Sequence, residues 1–480
     1  MIHNPELPLH AYFSAAGSRW SIRSNCAAVL ESAAGSFPVL NHFGCADLTI
    51  DLYVDSTATT QPRWDVPQFR GRDHLVFADY GPGDCLLADL RARKVIGRFS
   101  PATAHDTGYG KQVIFPVLLG IVGAVVGITA LHCACLRYQG EGLLITGESG
   151  AGKSTLSFEL ARRGLEFVSD DWTYFCRAGS EVLAWGLPTN IKLLPDSVRH
   201  FPELRDHTPA MHLNGELALE VDPETVGARR ALCCRPSRIF LIERPLGGGF
   251  EAARLAKKEI FTYFQQSLER LPAILAKSRE QQLATIRALC GLECWRLRCG
   301  GSPQEIATRI LQFCESLSPV PASTPPPLVA ARRQWPDMLR RFVALPFVRQ
   351  FSFDGFHFQV ASDSERVLQA LGQIAETSAA AAPSALWTIQ LEPDWPLSLS
   401  PVSEFGCGAL SFVTLGRHSL IACDRLTGRA HTSIAPGETR AQLQAALRLM
   451  LLHLARGSVR PALPMLPQFA PAADSGVPTC

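Results

Sequence analysis

The sequence has almost no excess of charge of either sign. Its 46 lysine and arginine residues nearly balance its 44 aspartate and glutamate residues, which leaves a formal net charge of +2 over 480 residues. Proteins that bind nucleic-acid phosphates usually concentrate positive charge in a patch, and we see no such patch in the sequence. We therefore expect no nucleic-acid partner.

The sequence also lacks the paired cysteine spacing of a zinc site. None of its 15 cysteines belongs to a Cys-x-x-Cys pair. The nearest groupings are Cys133 with Cys135, Cys233 with Cys234, and Cys290 with Cys294 and Cys299. An odd and scattered set of this kind is typical of reduced, buried thiols, so we expect a cytoplasmic protein without structural zinc.

A signal peptide is not predicted, because the first ten residues lack a basic start followed by an apolar core. One uncharged stretch, residues 113–131, meets the length expected of a membrane-spanning helix. The alternative is a helix buried between the first domain and the next. Because the stretch leads directly into His132 and a predicted core strand, we favour the buried helix and do not expect membrane insertion.

The clearest motif present is a phosphate-binding loop, which follows an apolar run at 143–146 and precedes a predicted helix at 154–163. Glycines let the backbone aim its N–H groups at an anion, and the helix N-terminus adds partial positive charge. Lys153 could reach the outer phosphates of ATP, and Ser154 could ligate Mg²⁺. The predicted nucleotide-binding residues are Gly147, Glu148, Ser149, Gly150, Ala151, Gly152, Lys153, Ser154 and Thr155.

Two adjacent acids, Asp170 and Asp171, follow a predicted strand at 166–169 soon after the loop. If the strand continued through them, the two carboxylates would point to opposite faces. One could then hold Mg²⁺ while the other accepts a proton from a hydroxyl group. A solvated turn is the alternative interpretation, and the sequence leaves open which acid is the base.

These motifs together resemble the HPr kinase/phosphorylase family, over roughly residues 131–317. The resemblance implies a fold like that of phosphoenolpyruvate carboxykinase and a catalytic set of His132, Lys153, Asp170 and Asp171, with Ser154 and the two aspartates as metal ligands. The family usually has Glu after the Lys-Ser of the loop, where this chain has Thr155. The family's glycine-rich phosphorolysis signature is also not found, so we expect a kinase-like relative with another acceptor rather than a phosphorylase.

The remaining sequence indicates a repeated module on either side of this domain. Residues 13–30 align without a gap on 351–368, Leu48 aligns with Trp387, and residues 111–131 fall opposite an amphipathic segment at 439–456. The predicted organisation is an α/β module at 1–130, a catalytic domain at 131–317, a proline-rich linker at 318–345, a second module at 346–460 and a disordered tail at 461–480. The second module is a pairing or recognition element, or simply a structural cap.

We therefore predict an α/β protein that transfers the γ-phosphate of Mg-ATP to a hydroxyl group, and the family resemblance implies a serine of a protein or peptide as the acceptor. Phosphorylation of a small molecule and a non-enzymatic nucleotide-binding switch are the alternatives. Lys192, Arg244 and the pair Arg229 and Arg230 are further candidates for contact with phosphate or acceptor. A homo-oligomer is compatible with the sequence.

Overall fold

The computed structural model describes residues 6–41, 45–58, 63–64, 67–179, 181–211, 216–244, 249–317, 341–378, 382–392, 395–437 and 439–456. Most of the predicted linker, residues 318–340, and the predicted tail lie outside the described residues. The described residues form three α/β units along the chain, each built around its own sheet.

The first unit begins with a hairpin whose inward residues alternate along each strand. Phe13, Trp20 and Ile22 are buried, and the turn between the strands uses Gly17 at φ +87°. Its elements are β1 (Leu9–Ala15), β2 (Ser18–Ser24), α1 (Ala27–Ser36), β3 (Val39–Leu40), β4 (Leu48–Val54), β5 (Gln68–Arg72), β6 (Leu75–Gly81), β7 (Asp84–Asp89) and β8 (Lys94–Phe99). The sheet order is β3-β1-β2-β4-β8-β7-β6-β5.

The long apolar stretch is helical over only part of its predicted length. Helices α2 (Pro101–His105) and α3 (Thr107–Tyr109) are followed by a π-helical turn (Gly110–Ile114), α4 (Phe115–Val122) and a 3₁₀ turn (Gly123–Val126). Gly127, at φ +83°, ends the helix. The prediction of a helix through residue 131 is therefore wrong for its last residues, because β9 (Thr129–His132) is a strand and carries His132.

Half of this helix packs into the first core. By length and composition, the segment Thr107–Val126 is apolar enough to cross a membrane. Of its apolar 18-residue stretch, 44% is buried inside the protein. Phe115, Leu118 and Leu119 belong to the same buried cluster as Trp20 and Phe37. The helix thus covers the first sheet.

In the described residues, the central unit contains a nine-stranded mixed sheet with helices packed on it and a separate three-stranded sheet. After β9 come β10 (Ala134–Tyr138), β11 (Glu141–Thr146), α5 (Lys153–Arg162), β12 (Glu166–Ser169), β13 (Trp172–Ala178), β14 (Glu181–Trp185), β15 (Ile191–Leu193), β16 (Ala210–Met211), β17 (Leu217–Val221), β18 (Cys233–Glu243), β19 (Gly249–Arg254), α6 (Lys257–Ser267), α7 (Ala276–Leu289), β20 (Glu293–Gly300) and α8 (Pro303–Ser316). The order of the three-stranded sheet is β15-β17-β16. In the larger sheet, strand β11 lies between β10 and β18, and β18 pairs in parallel with both β11 and β20. This central position buries Leu143, Leu144 and Ile145.

The third unit is the predicted second module, and its sheet repeats the sheet of the first unit, which is the first module. Its elements are β21 (Phe347–Phe353), β22 (Phe356–Ser362), α9 (Glu365–Leu371), β23 (Glu376–Thr377), β24 (Ala385–Leu391), β25 (Val402–Cys407), β26 (Leu410–Leu415), β27 (Ser419–Asp424), β28 (Arg429–Ile434) and α10 (Arg440–Arg456). The order β23-β21-β22-β24-β28-β27-β26-β25 matches the first sheet strand for strand.

The strand registers correct one part of the sequence alignment between the modules. Trp20 pairs with Leu48, and the residue equivalent to Trp20, Phe358, pairs with Ala385. Leu48 therefore corresponds to Ala385, and the predicted match with Trp387 is wrong by two residues. A shift of two keeps every side chain on the same face of the strand, which is why the hydrophobic pattern tolerated it.

The two modules pack against each other through the outer faces of their sheets. The rings of Phe77 and Phe412 meet edge to face at 5.3 Å, and those of Tyr53 and Phe405 stack at 5.9 Å. Residues of both modules form one buried cluster: Leu75, Phe77, Cys85, Leu87, Ile96, Phe405, Cys407, Leu410, Phe412, Leu420 and Ala422. The second module is thus a packed part of the molecule.

Candidate functional site

The predicted phosphate-binding loop connects the central strand β11 to helix α5. Gly147 and Gly152 have φ of +156° and +88°, values that side-chain-bearing residues rarely adopt. A Cβ atom on Gly147 would lie 2.6 Å from the carbonyl oxygen of Ile242, so the loop needs glycine there for space as well. The loop ends at the N-terminus of a ten-residue helix, where backbone N–H groups and the helix dipole favour an anion.

Lys153 is buried in this loop with 7% of its surface exposed. Its Nζ donates hydrogen bonds to the carbonyl oxygens of Gly147 and Glu148 at 3.0 and 3.1 Å. Burial lowers the pKa of Lys153, while the negative charge of Asp171 opposes that shift. The ammonium group is therefore held at the loop and within electrostatic reach of the acid pair.

Arg244 also contacts the loop. Its Nε donates to the carbonyl oxygen of Ala151 and its Nη1 to that of Gly301, both at 3.2 Å. The residue follows the last residue of β18, the strand beside β11. The structure thus places this predicted candidate against the loop, on a strand end next to it.

The two aspartates lie in the bend between β12 and β13 rather than on a strand. Strand β12 ends at Ser169 and β13 begins at Trp172, so the predicted alternation along a continuing strand is wrong. Two hydrogen bonds fix this bend. The hydroxyl groups of Ser169 and Thr173 are hydrogen-bonded to each other at 2.6 Å, and the Thr173 hydroxyl donates to the carbonyl oxygen of Cys133 at 2.7 Å. The acids still have different surroundings, as the prediction required.

Asp170 is the buried member of the pair, with 5% of its surface exposed. Its Oδ2 accepts a hydrogen bond from the backbone N–H of Lys192 at 2.8 Å. Burial, and next the negative charge of Asp171, raise the pKa of Asp170 to about 7. Asp170 thereby ties β15 to the site.

Asp171 is the more accessible acid, with 38% of its side chain exposed. Its Oδ1 lies 2.9 Å from Nε2 of His132. Burial opposes ionisation of Asp171, but the hydrogen bond from His132 and the charges of His132, Lys192 and Lys153 outweigh it and lower the pKa. Asp171 is therefore the acid that stays ionised beside the loop.

The pairing of β9 with β13 brings His132 to this position. His132 and Trp172 are partners in that antiparallel pair, and their rings lie 5.7 Å apart. Trp172 is 39% exposed next to the acids, and it was missed in the sequence although it follows them directly. Tyr263 of α6 was also missed: it bonds to Thr146 and to the backbone of Gly147, and no local motif marks it.

Arg229 and Arg230 are not brought to the loop. Arg230 bonds to the carbonyl oxygen of Thr189 and to the carboxylate of Asp222, and Arg229 lies exposed 3.9 Å from Glu166. Lys192 reaches the site through its backbone N–H and through its charge near Asp171. Ser154, Asp170 and Asp171 carry hydroxyl and carboxylate oxygens, the kinds of ligand that Mg²⁺ prefers.

The site thus belongs to an α/β domain in which a glycine-rich loop joins a central strand to a helix, with an acid pair beside it. Residues 125–197 match the family model described as HPr Serine kinase C-terminal domain. The resemblance to the HPr kinase/phosphorylase family is confirmed for this segment, which contains His132, the loop and both aspartates.

The sequence similarity to individual relatives is confined to a short part of the chain. The chain is 40% identical over 76 residues to the HPr kinase/phosphorylase of Lachnoclostridium phytofermentans, covering 16% of this chain and 22% of that protein. It is 34% identical over 83 residues to the HPr kinase/phosphorylase of Bacillus cereus, covering 17% of this chain and 25% of that protein. The chain thus spans about a quarter of the length of the curated relatives it matches.

Solved structures match the chain as well. The HPr(Ser) kinase/phosphatase from Coxiella burnetii is 16% identical, and the match covers 39% of this chain and 97% of that chain with a TM-score of 0.21.

Proposed function

We propose that the central domain transfers the γ-phosphate of Mg-ATP to the hydroxyl group of a serine on a protein or peptide acceptor, in the cytoplasm. One observation carries the proposal: Asp171, hydrogen-bonded to His132, lies within the electrostatic influence of Lys153 of the glycine-rich loop. On this basis we assign Asp171 as the base and Lys153 as the cation that binds phosphate. The match of this segment to a family of kinases supports the same reaction.

The loop binds the nucleotide phosphates. Its backbone N–H groups and the N-terminus of α5 face the anion, and Lys153 exchanges its bonds to the carbonyl oxygens of Gly147 and Glu148 for bonds to the outer phosphates. Arg244 adds a second positive charge at Ala151. These groups balance the charge that spreads over the transferred phosphoryl group.

Asp171 acts on the acceptor. The serine oxygen forms a bond to the γ-phosphorus while the bond from that phosphorus to the leaving oxygen of ADP breaks, and the hydroxyl proton passes to the Asp171 carboxylate. His132 keeps this carboxylate ionised and oriented through the 2.9 Å contact. Asp171 is better suited than Asp170 because it is accessible and is held in the ionised form that can accept a proton.

Ser154 and Asp170, with Asp171 close by, would hold the magnesium ion, which would neutralise phosphate charge when bound. The buried carboxylate of Asp170, whose pKa is raised beside a second acid, is a position that a cation would stabilise. Asp170 also keeps β15 against the site through the N–H of Lys192.

The test is phosphate transfer from labelled ATP with Mg²⁺ to candidate acceptor proteins encoded near the gene. Asp171→Asn should abolish transfer while ATP binding is retained, and Asp170→Asn should weaken metal-dependent binding as well. Asp196→Asn is the matched control, because Asp196 is an exposed aspartate of the same domain. Transfer that survives Asp171→Asn would overturn the assignment of the base.

A nucleotide-dependent switch without transfer is the second candidate. It is favoured by the position of Arg244, which bridges the loop at Ala151 to Gly301 after β20 and would move when phosphate competes for it. ATP binding that persists in every variant, with no label transferred to any acceptor, would select this function.

A further inference from the structure

Three buried side chains from three chain segments meet where the two modules face each other. His74 and Asp89 belong to the first module and Asp424 to the second, and one ligand atom from each lies within 4.8 Å of the others. Their exposed fractions are 1%, 4% and 2%. We propose that His74, Asp89 and Asp424 bind one divalent metal ion, of which Zn²⁺ fits the ligand set best, and that this ion joins the two modules.

The duplication explains why two carboxylates converge. Asp89 ends β7 and pairs with Leu75, and Asp424 ends β27 and pairs with Leu410 in the equivalent register. Each aspartate accepts backbone hydrogen bonds with its Oδ1 atom: Asp89 from Arg91 and Ala92, Asp424 from Leu426 and Thr427. Face-to-face packing of the modules then brings the two turns together.

His74 lies between the two turns. Its Nε2 is 3.0 Å from Oδ2 of Asp424, and its carbonyl oxygen accepts the N–H of Leu90, the residue after Asp89. Two ligand atoms bound at about 2.0–2.2 Å to one tetrahedral ion stand roughly 3.3 Å apart, so this spacing is close to that of neighbouring zinc ligands. Small movements of the three side chains would bring their ligand atoms to zinc-binding distances.

The charge balance favours a cation. Two carboxylates with a single imidazole are buried together, and neighbouring guanidinium groups are engaged elsewhere: Arg429 pairs with Asp73 at 2.9 Å, and Arg72 donates to two backbone carbonyls. Buried like charges are costly unless they are paired.

The ligand types select among metals. An imidazole nitrogen with two carboxylates suits Zn²⁺, whereas Mg²⁺ and Ca²⁺ prefer sites made of oxygen alone. This inference does not depend on the proposed kinase reaction, because the cluster lies between the modules and contains no residue of the loop or the acid pair.

The experiment uses the full-length protein, freed of metal with a chelator and titrated with Zn²⁺ or Co²⁺ alone. Wild type should bind one equivalent of Zn²⁺ and unfold at a higher temperature with it. The cobalt form should show d–d bands without a thiolate charge-transfer band, which separates this site from the cysteines. Asp89→Asn and Asp424→Asn should each weaken binding more than tenfold, while their amide oxygens still accept the turn hydrogen bonds.

Asp354→Asn is the control, because Asp354 is an exposed aspartate of the second module that lies outside the cluster, and this variant should bind Zn²⁺ like wild type. Circular dichroism of each variant shows whether the fold is retained, and either asparagine variant alone suffices if the other fails to fold. Absence of stoichiometric binding in wild type, binding unaffected by both variants, or a thiolate cobalt spectrum would each overturn the site and leave a hydrogen-bonded network of protein groups.

Discussion

The Nε2 atom of His132 lies 2.9 Å from Oδ1 of Asp171, although the whole phosphate-loop strand and helix separate the two residues in the chain. The antiparallel pairing of β9 and β13 creates this contact by placing His132 opposite Trp172, the residue after Asp171. The contact gives the proposed base its orientation and its charge.

Replacing His132 with alanine should therefore lower kcat for phosphate transfer by about 10²-fold, the usual contribution of a positioned acid–base group. The KM for ATP should change little, because the proposed role of His132 is to orient Asp171 and not to bind phosphate. Steady-state kinetics with each substrate varied measures both. His200→Ala, at another histidine of the same domain, should leave both constants unchanged; equal effects of the two substitutions would contradict the role of His132.

Lys153→Ala should weaken ATP binding by at least tenfold. The substitution removes the cation held at the loop carbonyls by the 3.0 and 3.1 Å bonds. Calorimetric titration with ATP and Mg²⁺ measures the change. Lys258→Ala, at an exposed lysine of α6, is the control and should bind like wild type. Undiminished affinity in Lys153→Ala would remove the loop from the nucleotide site.

Trp172→Ala should raise the KM for the acceptor several-fold while the KM for ATP stays constant. The indole is exposed beside the acid pair and packs near His132, so it is placed to contact the residue that carries the reacting hydroxyl. Trp172→Phe keeps an aromatic surface and should restore most of the affinity. An effect confined to ATP binding would place the indole on the nucleotide side instead.

Phe412→Ala should lower the free energy of unfolding by about 3–5 kcal/mol, the usual cost of emptying a buried aromatic position. Phe412 is fully buried and meets Phe77 of the other module. Denaturation by urea followed by circular dichroism measures the loss. Leu426→Ala removes a leucine that is 71% exposed and should cost little. Similar losses in the two variants would mean that the module interface contributes no specific stability.

Stability should fall as pH rises from about 4 to 7 because of Asp79. Burial raises the pKa of this carboxyl from its ordinary value of 3.8 to about 6, against the opposing effects of Arg70 and of hydrogen bonds from Trp64 and Gly81. The folded state keeps the proton over this window while the unfolded state loses it, so folding weakens by roughly 3 kcal/mol at about 1.4 kcal/mol per pKa unit.

The Asp79→Asn variant checks this effect, because its amide oxygen can still accept both hydrogen bonds but does not titrate. Urea denaturation at a series of pH values should give a flatter profile between pH 4 and 7 for the variant than for wild type. Parallel profiles would show that Asp79 titrates equally in both states.

The local part of the candidate site could be predicted from the sequence. Glycines at Gly147 and Gly152 are tied to a loop conformation that few other residues adopt, and the strand and helix around them have clear hydrophobic patterns. The pattern of residues 113–131 was ambiguous, because a continuous apolar run does not distinguish the end of a helix from a buried strand. Gly127, which ends the helix in a left-handed conformation, was not used as a helix end in the prediction.

The sequence by itself determined the glycine-rich loop, the adjacent acid pair and the repetition of a module, because each of these depends on neighbouring residues or on a recurring pattern. Only the tertiary structure decided that Asp171 rather than Asp170 meets His132, that Tyr263 and Arg244 contact the loop, and that His74, Asp89 and Asp424 converge. Strand pairing and the packing of whole sheets determine these contacts. Both bring together residues that are far apart in the chain, and the local sequence around one residue does not indicate its partner.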